Sequence, residues 1–246
     1  MNEAAVPCPV EDVHGDNRWM NLHQRFVLET KEREPEILFV GDSLISHLIY
    51  TDMWETMFAP LHPLNFGIGG DQTQHVLWRL ANGELDNIKP KVVVLLVGTN
   101  NHGHTPDMIA DGIMAVVHLI REKQPQAHII VMSLLPRGHL VNPLRQRNAQ
   151  VNELLAHKTA LMTRVQLVNT APDFVLPDGS ISHLDMYDYL HLTPNGYRKV
   201  FEPLHDLLIQ LLAETNGTQQ QPADEQQAGS SNNNNSNAQS LLHKGP

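Results

Sequence analysis

The stretch "ILFVGDSLISHLIY", residues 37–50, runs four apolar residues into Gly41-Asp42-Ser43-Leu44 and then resumes a hydrophobic pattern with helical spacing. An unbroken apolar run that ends on a turn and feeds a helix is what a strand buried on both faces looks like, and it is the repeating unit of α/β proteins. The serine on the turn has two readings. Asp and Ser are common helix starters, and a serine held up on a strand-to-helix turn is also a place for a nucleophile.

Working outward, comparable runs recur at "HPLNF" (62–66), "KVVVLLV" (91–97), "HIIVMSLL" (128–135) and "VQLVN" (165–169), with "EILFV" (36–40) as the first. Segments long enough for helices separate them, at roughly 45–57, 72–82, 107–123 and 144–162, and a last one follows at 195–213. Strands alternating with helices imply a parallel sheet. Right-handed crossovers then give a three-layer α/β/α sandwich around a five-stranded parallel sheet. Loops that follow the strands gather on one edge of such a sheet, where ligands usually bind.

With 246 residues, 41% hydrophobic and 18% charged, the chain can bury one substantial core. We expect a single domain over 1–213. From 214 to 246 the composition turns to Gln, Asn, Ser and Gly, which predicts a disordered tail. The body carries −8 of the formal net charge of −10, which disfavours nucleic acid and anionic lipid surfaces as electrostatic partners. The N-terminus has no basic segment leading into an apolar one, and no apolar run has the length of a membrane span, so we expect a cytoplasmic protein without an integral membrane segment. Cys8 is the only cysteine, which excludes an intrachain disulfide. The sequon Asn216-Gly217-Thr218 would then go unused.

The residues just after the strands carry the chemistry. They are Gly41-Asp42-Ser43-Leu44, then Gly67-Ile68-Gly69-Gly70-Asp71, then Gly98-Thr99-Asn100-Asn101. A serine hydroxyl needs a base to take its proton, and acyl transfer needs donors aimed at the developing oxyanion. In "LDMYDYLHLTPNGY", Asp188 and His191 are three residues apart, close enough for the carboxylate to hold Nδ1–H while Nε2 faces Ser43. Thr193 and Pro194 read as N-cap and first residue of the last helix, which anchors that loop.

Singly, each feature has a plainer reading: Ser43 as a helix N-cap, Gly67, Gly69 and Gly70 as turn formers, Asn100 as an Asx-turn residue, and His191 as one of 15 histidines. Together they fall in chain order at ends that share one sheet edge. An ordinary α/β-hydrolase elbow is disfavoured, because Ile45 stands where Gly-x-Ser-x-Gly requires its second glycine. His102-Gly103-His104 lacks a third ligand at metal spacing, and neither a phosphate loop nor a dinucleotide fingerprint occurs, so no metal or cofactor is implied.

At these residues the sequence resembles the SGNH (GDSL-type) hydrolases, with Ser43, Gly70, Asn100 and His191 at the four name-giving positions and Asp188 completing a triad. "LNFGIGGDQTQHVLWRLANGELDNIKPKVVVLLVGTNNH", "LLPRG", "NPLRQRNAQVN" and "DMYDYLHLT" narrow the resemblance to the catalytic alpha subunits of intracellular platelet-activating factor acetylhydrolases of type Ib. The resemblance implies a flavodoxin-like fold and a cofactor-free serine esterase that removes the sn-2 acetyl group of an ether phospholipid. It implies an oxyanion hole from the Ser43 and Gly70 amides and the Asn100 side chain, and an acyl pocket at Leu44, Thr99 and Leu190. It also implies a homodimer, or a heterodimer with a paralogous catalytic subunit, that binds a WD-repeat regulatory subunit linked to dynein. The alternatives are a dimeric binding subunit for that regulator with little catalysis, or another short-chain esterase of the superfamily. Pro194 and Asn195 depart from the glycines common in this family, which bears on loop mobility rather than on the triad.

Overall fold

The computed structural model describes residues 2–169 and 173–219. Five strands, β1 (Ile37–Gly41), β2 (Pro63–Gly67), β3 (Val92–Leu96), β4 (His128–Met132) and β5 (Val165–Val168), form one parallel sheet in the order β2-β1-β3-β4-β5. β1 and β3 are buried at every residue, which is why their sequences are apolar throughout rather than alternating. The strand order reverses between β1 and β3, so the loops leaving their C-terminal ends diverge and open a crevice. Ser43 follows one of these strands and Thr99 and Asn100 follow the other.

The helices are α1 (Arg18–Glu32), α2 (Ser43–Ser46), α3 (Thr73–Arg79), α4 (Pro106–Lys123), α5 (Pro143–Thr159) and α6 (Pro194–Gln219). Pro at the first position starts α4, α5 and α6, and the Thr105 and Asn142 side chains cap the first two of these. α1 is absent from the sequence reading. Its buried residues, His23, Phe26 and Thr30, keep helical spacing, but only one of them is apolar.

The helix expected over 45–57 is broken. α2 passes into a 3₁₀ turn at His47–Tyr50, and a π-helical segment follows at Trp54–Phe58. Thr51 Oγ1 accepts from the Trp54 amide and Asp52 Oδ1 from the Met53 amide, offering the backbone side-chain partners that compete with helix. α6 continues to Gln219, past the expected boundary at 213, with Leu211 still buried and Thr215 bonded back to the Leu211 carbonyl. Most of the tail expected over 214–246, from 220 onward, lies outside the described residues, as does the side chain of Asn216 in the sequon.

Candidate active site

The turn after β1 is capped by Asp42, whose side chain accepts from the Leu44 amide. Ser43 is therefore the first helical residue and not the cap, which leaves its hydroxyl free for another partner. α2 lies so close to the end of β2 that a Cβ on Gly67 would stand 2.3 Å from the Ser46 nitrogen, so only glycine fits there. The close approach brings the Ser43 segment against the Gly67–Asp71 loop, and a Cβ on Gly69 would lie 3.8 Å from that of Ser43.

Ser43 Oγ is 3.1 Å from His191 Nε2, and His191 Nδ1 is 2.7 Å from Asp188 Oδ2. Asp188 Oδ1 accepts from the amides of Leu190 and His191, folding the loop into an Asx turn, while Tyr189 takes a positive φ of 61° to turn the chain. Burial pushes the Asp188 carboxyl up, but hydrogen bonds from the His191 ring and the two amides outweigh it and leave the group below the ordinary carboxylate value. Asp188 is thus ionised at neutral pH, and it holds Nδ1 protonated with Nε2 available to the serine. The loop is fixed to α6 by buried Asp185, which accepts from Asn195 and Lys199, and Thr193 Oγ1 accepts from the Gly196 amide as an N-cap does. Asn195, one of the departures from the family pattern, thus secures the loop. The His191 ring lies between Tyr187, at 5.8 Å, and His47, at 5.4 Å between centroids.

Gly70 has φ +85°, the left-handed region that glycine enters without cost. Asn100 donates from Nδ2 to the Asp71 carbonyl, which joins the loops after β2 and β3. This is a cross-loop bond and not the Asx turn of the plainer reading. One amide hydrogen is spent on that carbonyl, and the second remains for another acceptor. Thr99 is buried and held by Arg137, Arg147 and Asn148. Leu190 is half-buried and lines a cavity of about 590 Å³ together with Asp188 and Arg137. Leu44 is buried in the core, with its carbonyl accepting from the Tyr197 hydroxyl. A second cavity, of about 560 Å³, opens between Gly69, Gly70, Trp19 and the segment 9–18.

Sequence reasoning missed the ionic cluster that supports the Gly67–Asp71 loop. Arg79 is fully buried. It donates Nε to Asp71 at 2.8 Å, Nη1 to Glu84, and Nη2 to the carbonyls of Phe66 and Gly41. Trp19 Nε1 bonds the other Asp71 oxygen at 2.6 Å, and His23 Nδ1 meets Glu84 at 2.9 Å. Burial pushes the Asp71 carboxyl up to about 6, against the pull of Arg79 and Trp19, so it stays ionised at pH 7. Burial alone would lower the Arg79 guanidinium, but Glu84 and Asp71 more than offset it.

Asp42 is buried with Oδ2 unpartnered, and burial pushes its carboxyl from 3.8 to about 7 against the Leu44 amide bond. Between those values the folded chain holds a proton that the unfolded chain has released. The stabilising contribution is therefore complete below about pH 4 and is lost as pH rises through about 7. Asp42→Asn keeps the cap and removes the titration. Unfolding free energies from urea titrations between pH 4 and 8 should therefore fall more steeply in the wild type, by up to about 1.4 kcal/mol per pH unit inside that window. Parallel slopes would show that Asp42 stays ionised.

A serine, a histidine and a carboxylate in hydrogen-bonded sequence on the strand-end loops of a doubly wound parallel sheet define a serine ester hydrolase. The model of the GDSL-like lipase/acylhydrolase family matches residues 39–199, and the chain belongs to that family. It is 56% identical over 216 residues to the Homo sapiens protein named platelet-activating factor acetylhydrolase IB subunit alpha1, covering 88% of this chain and 94% of the relative. The subunit named alpha2 from the same species is 56% identical over 219 residues, covering 89% and 96%. Among solved structures, a GDSL-like lipase from Bacteroides thetaiotaomicron superposes with a TM-score of 0.64 at 18% identity, over 78% of this chain and 98% of its own, which bears on the fold alone. Among the described residues, no group of three or more His, Cys, Asp or Glu is placed to hold a metal, and no helix is long and apolar enough to cross a membrane.

Proposed function

We propose that the chain removes the sn-2 acetyl group of an ether phospholipid of the platelet-activating-factor kind, with Ser43 as nucleophile. The observation that carries this reading is the relay Ser43 Oγ–His191 Nε2–Nδ1–Asp188, at 3.1 and 2.7 Å, in a chain 56% identical to relatives named for that reaction. His191 accepts the serine proton as Oγ attacks the ester carbonyl. The Ser43 and Gly70 amides and the second hydrogen of Asn100 receive the oxyanion, and imidazolium returns the proton to the leaving lyso-lipid oxygen. Water, deprotonated by His191, then attacks the acetyl-serine and releases acetate, which restores the hydroxyl. Asp188 orients the ring and stabilises its charged form throughout.

Leu44, Thr99 and Leu190 are our acyl-pocket residues. Two of the three are buried, so a longer acyl chain would have to displace packed side chains. A 1-alkyl-2-acetyl phospholipid should therefore be cleaved at least tenfold faster than its 2-octanoyl analogue, measured as free acid released. Equal rates would remove the small pocket and favour a broader esterase. The relatives are named as subunits, and we extend that to this chain as a cytoplasmic dimer of catalytic subunits that engages a WD-repeat regulator. On this reading 1–213 is one hydrolase domain.

A further inference from the structure

Three arginines crowd the loop that leaves β4, and among the described residues none of them forms an ion pair. Arg145 is spent on the carbonyls of Arg137, Gly138, His139 and Gly179, and it holds the loop's shape. Arg147 is buried, with both Nη groups on the carbonyls of Asn101 and Thr99 and its Nε unpartnered among the described residues, and it does not line the cavity beside Asp188. Arg137 differs from both. Among the described residues only its Nη1 is engaged, with the Thr99 carbonyl at 2.9 Å and the Thr99 hydroxyl at 3.1 Å, while Nε and Nη2 form no hydrogen bond. The side chain is half-buried and lines the cavity that Asp188 and Leu190 also line. Asp42 and Asp188 act on it electrostatically, but neither is within ion-pair distance. Leu140 and Val141, 55% and 64% exposed, form an apolar lip on the same cavity.

A partly desolvated guanidinium with one edge fixed and the other edge open is suited to bidentate recognition of a phosphate oxygen pair. The Thr99 tether places it one residue from Asn100, where the ester carbonyl would sit. A glycerophospholipid carries its phosphate one glycerol carbon from the sn-2 ester, and it carries alkyl carbon that the apolar lip could cover.

We infer that Arg137 is the phosphate-recognising residue of the substrate site, binding the sn-3 phosphodiester of the lipid while Leu140 and Val141 cover adjoining methylenes. The inference rests on the reading of the chain as a phospholipid esterase and adds the group that separates phosphate-bearing from neutral esters. In this otherwise acidic protein, Arg137 is then a local device for drawing an anion to the serine.

The test uses three ester substrates and two phosphate inhibitors with wild-type, Arg137→Gln and Arg137→Lys proteins. Wild type should prefer a water-soluble 1-alkyl-2-acetyl glycerophospholipid over the matching neutral diether acetate by tenfold or more, through KM. Arg137→Gln should reduce that preference to within threefold, and Arg137→Lys should keep an intermediate value. sn-Glycerol 3-phosphate should inhibit hydrolysis of p-nitrophenyl acetate competitively, more tightly than inorganic phosphate, with Ki raised at least tenfold in Arg137→Gln. Equal losses on both esters, or an unchanged Ki, would reduce Arg137 to a support for Thr99 and overturn the inference. A wild type that ignores phospholipid yet shows Arg137-dependent inhibition would overturn the proposed substrate and leave the anion site standing.

Discussion

Ser43→Ala is expected to lower ester turnover by about 10⁴- to 10⁶-fold while leaving the fold intact. The size of the loss follows from the unity of the relay: without Oγ no acyl-enzyme forms, and His191 has no proton to accept from a positioned nucleophile. The fold should survive because the hydrogen bond recorded for the Ser43 side chain is to His191, whereas the turn is capped by Asp42. The unfolding free energy of the variant in urea should stay within about 0.5 kcal/mol of wild type, the range of substitutions that touch no structural bond. A fluorophosphonate probe should label wild type on the peptide containing Ser43 and fail to label the variant, because an unactivated serine reacts too slowly. Retention of more than a tenth of wild-type hydrolysis by the variant would dismiss Ser43 as the nucleophile.

The parts of this molecule that could be read from the sequence are those whose determinants are local. β1 and β3 are covered on both faces, so burial writes itself into their sequences as "ILFV" and "VVVLL". Asp188 and His191 meet because they lie three residues apart on one loop, and the Asx turn that joins them needs nothing from elsewhere. α1 escaped because two of its three buried positions are His23 and Thr30, polar residues whose burial makes sense only once their partners are known. His23 is there to meet Glu84, which is 61 positions away. The break in the segment 45–57 also escaped, since periodicity registers the helical spacing of Ile45, Leu48, Ile49 and Met53 but not the competing bonds of Thr51 and Asp52. Arg137 stood in "LLPRG" as part of a resemblance, and its significance depends on what Arg145 and Arg147 are already doing.

Arg79→Met should cost about 3–5 kcal/mol of stability, the penalty for removing one partner of a buried ion cluster. Arg79, Asp71 and Glu84 are all fully buried, so deleting the guanidinium strands two carboxylates where water cannot reach them. It also removes the guanidinium bonds to the Gly41 and Phe66 carbonyls at the ends of β1 and β2, although Gly41 keeps the Ile68 amide. The consequence should extend to catalysis, because the Asp71 carbonyl is what Asn100 Nδ2 grips and Gly70 is its neighbour in the chain. Neutralising the stranded acids tests the electrostatic origin. In the triple variant Arg79→Met, Asp71→Asn, Glu84→Gln, most of the lost stability should return, since no charge is left unpaired, while activity should stay low because the strand-end carbonyls still lack their clamp. Denaturation midpoints and acetyl-ester turnover on the same preparations separate the two effects. If the single variant loses less than about 1 kcal/mol, the cluster contributes no more than a surface ion pair. If the triple variant recovers activity together with stability, Arg79 serves the charge balance alone and does not position the Gly67–Asp71 loop.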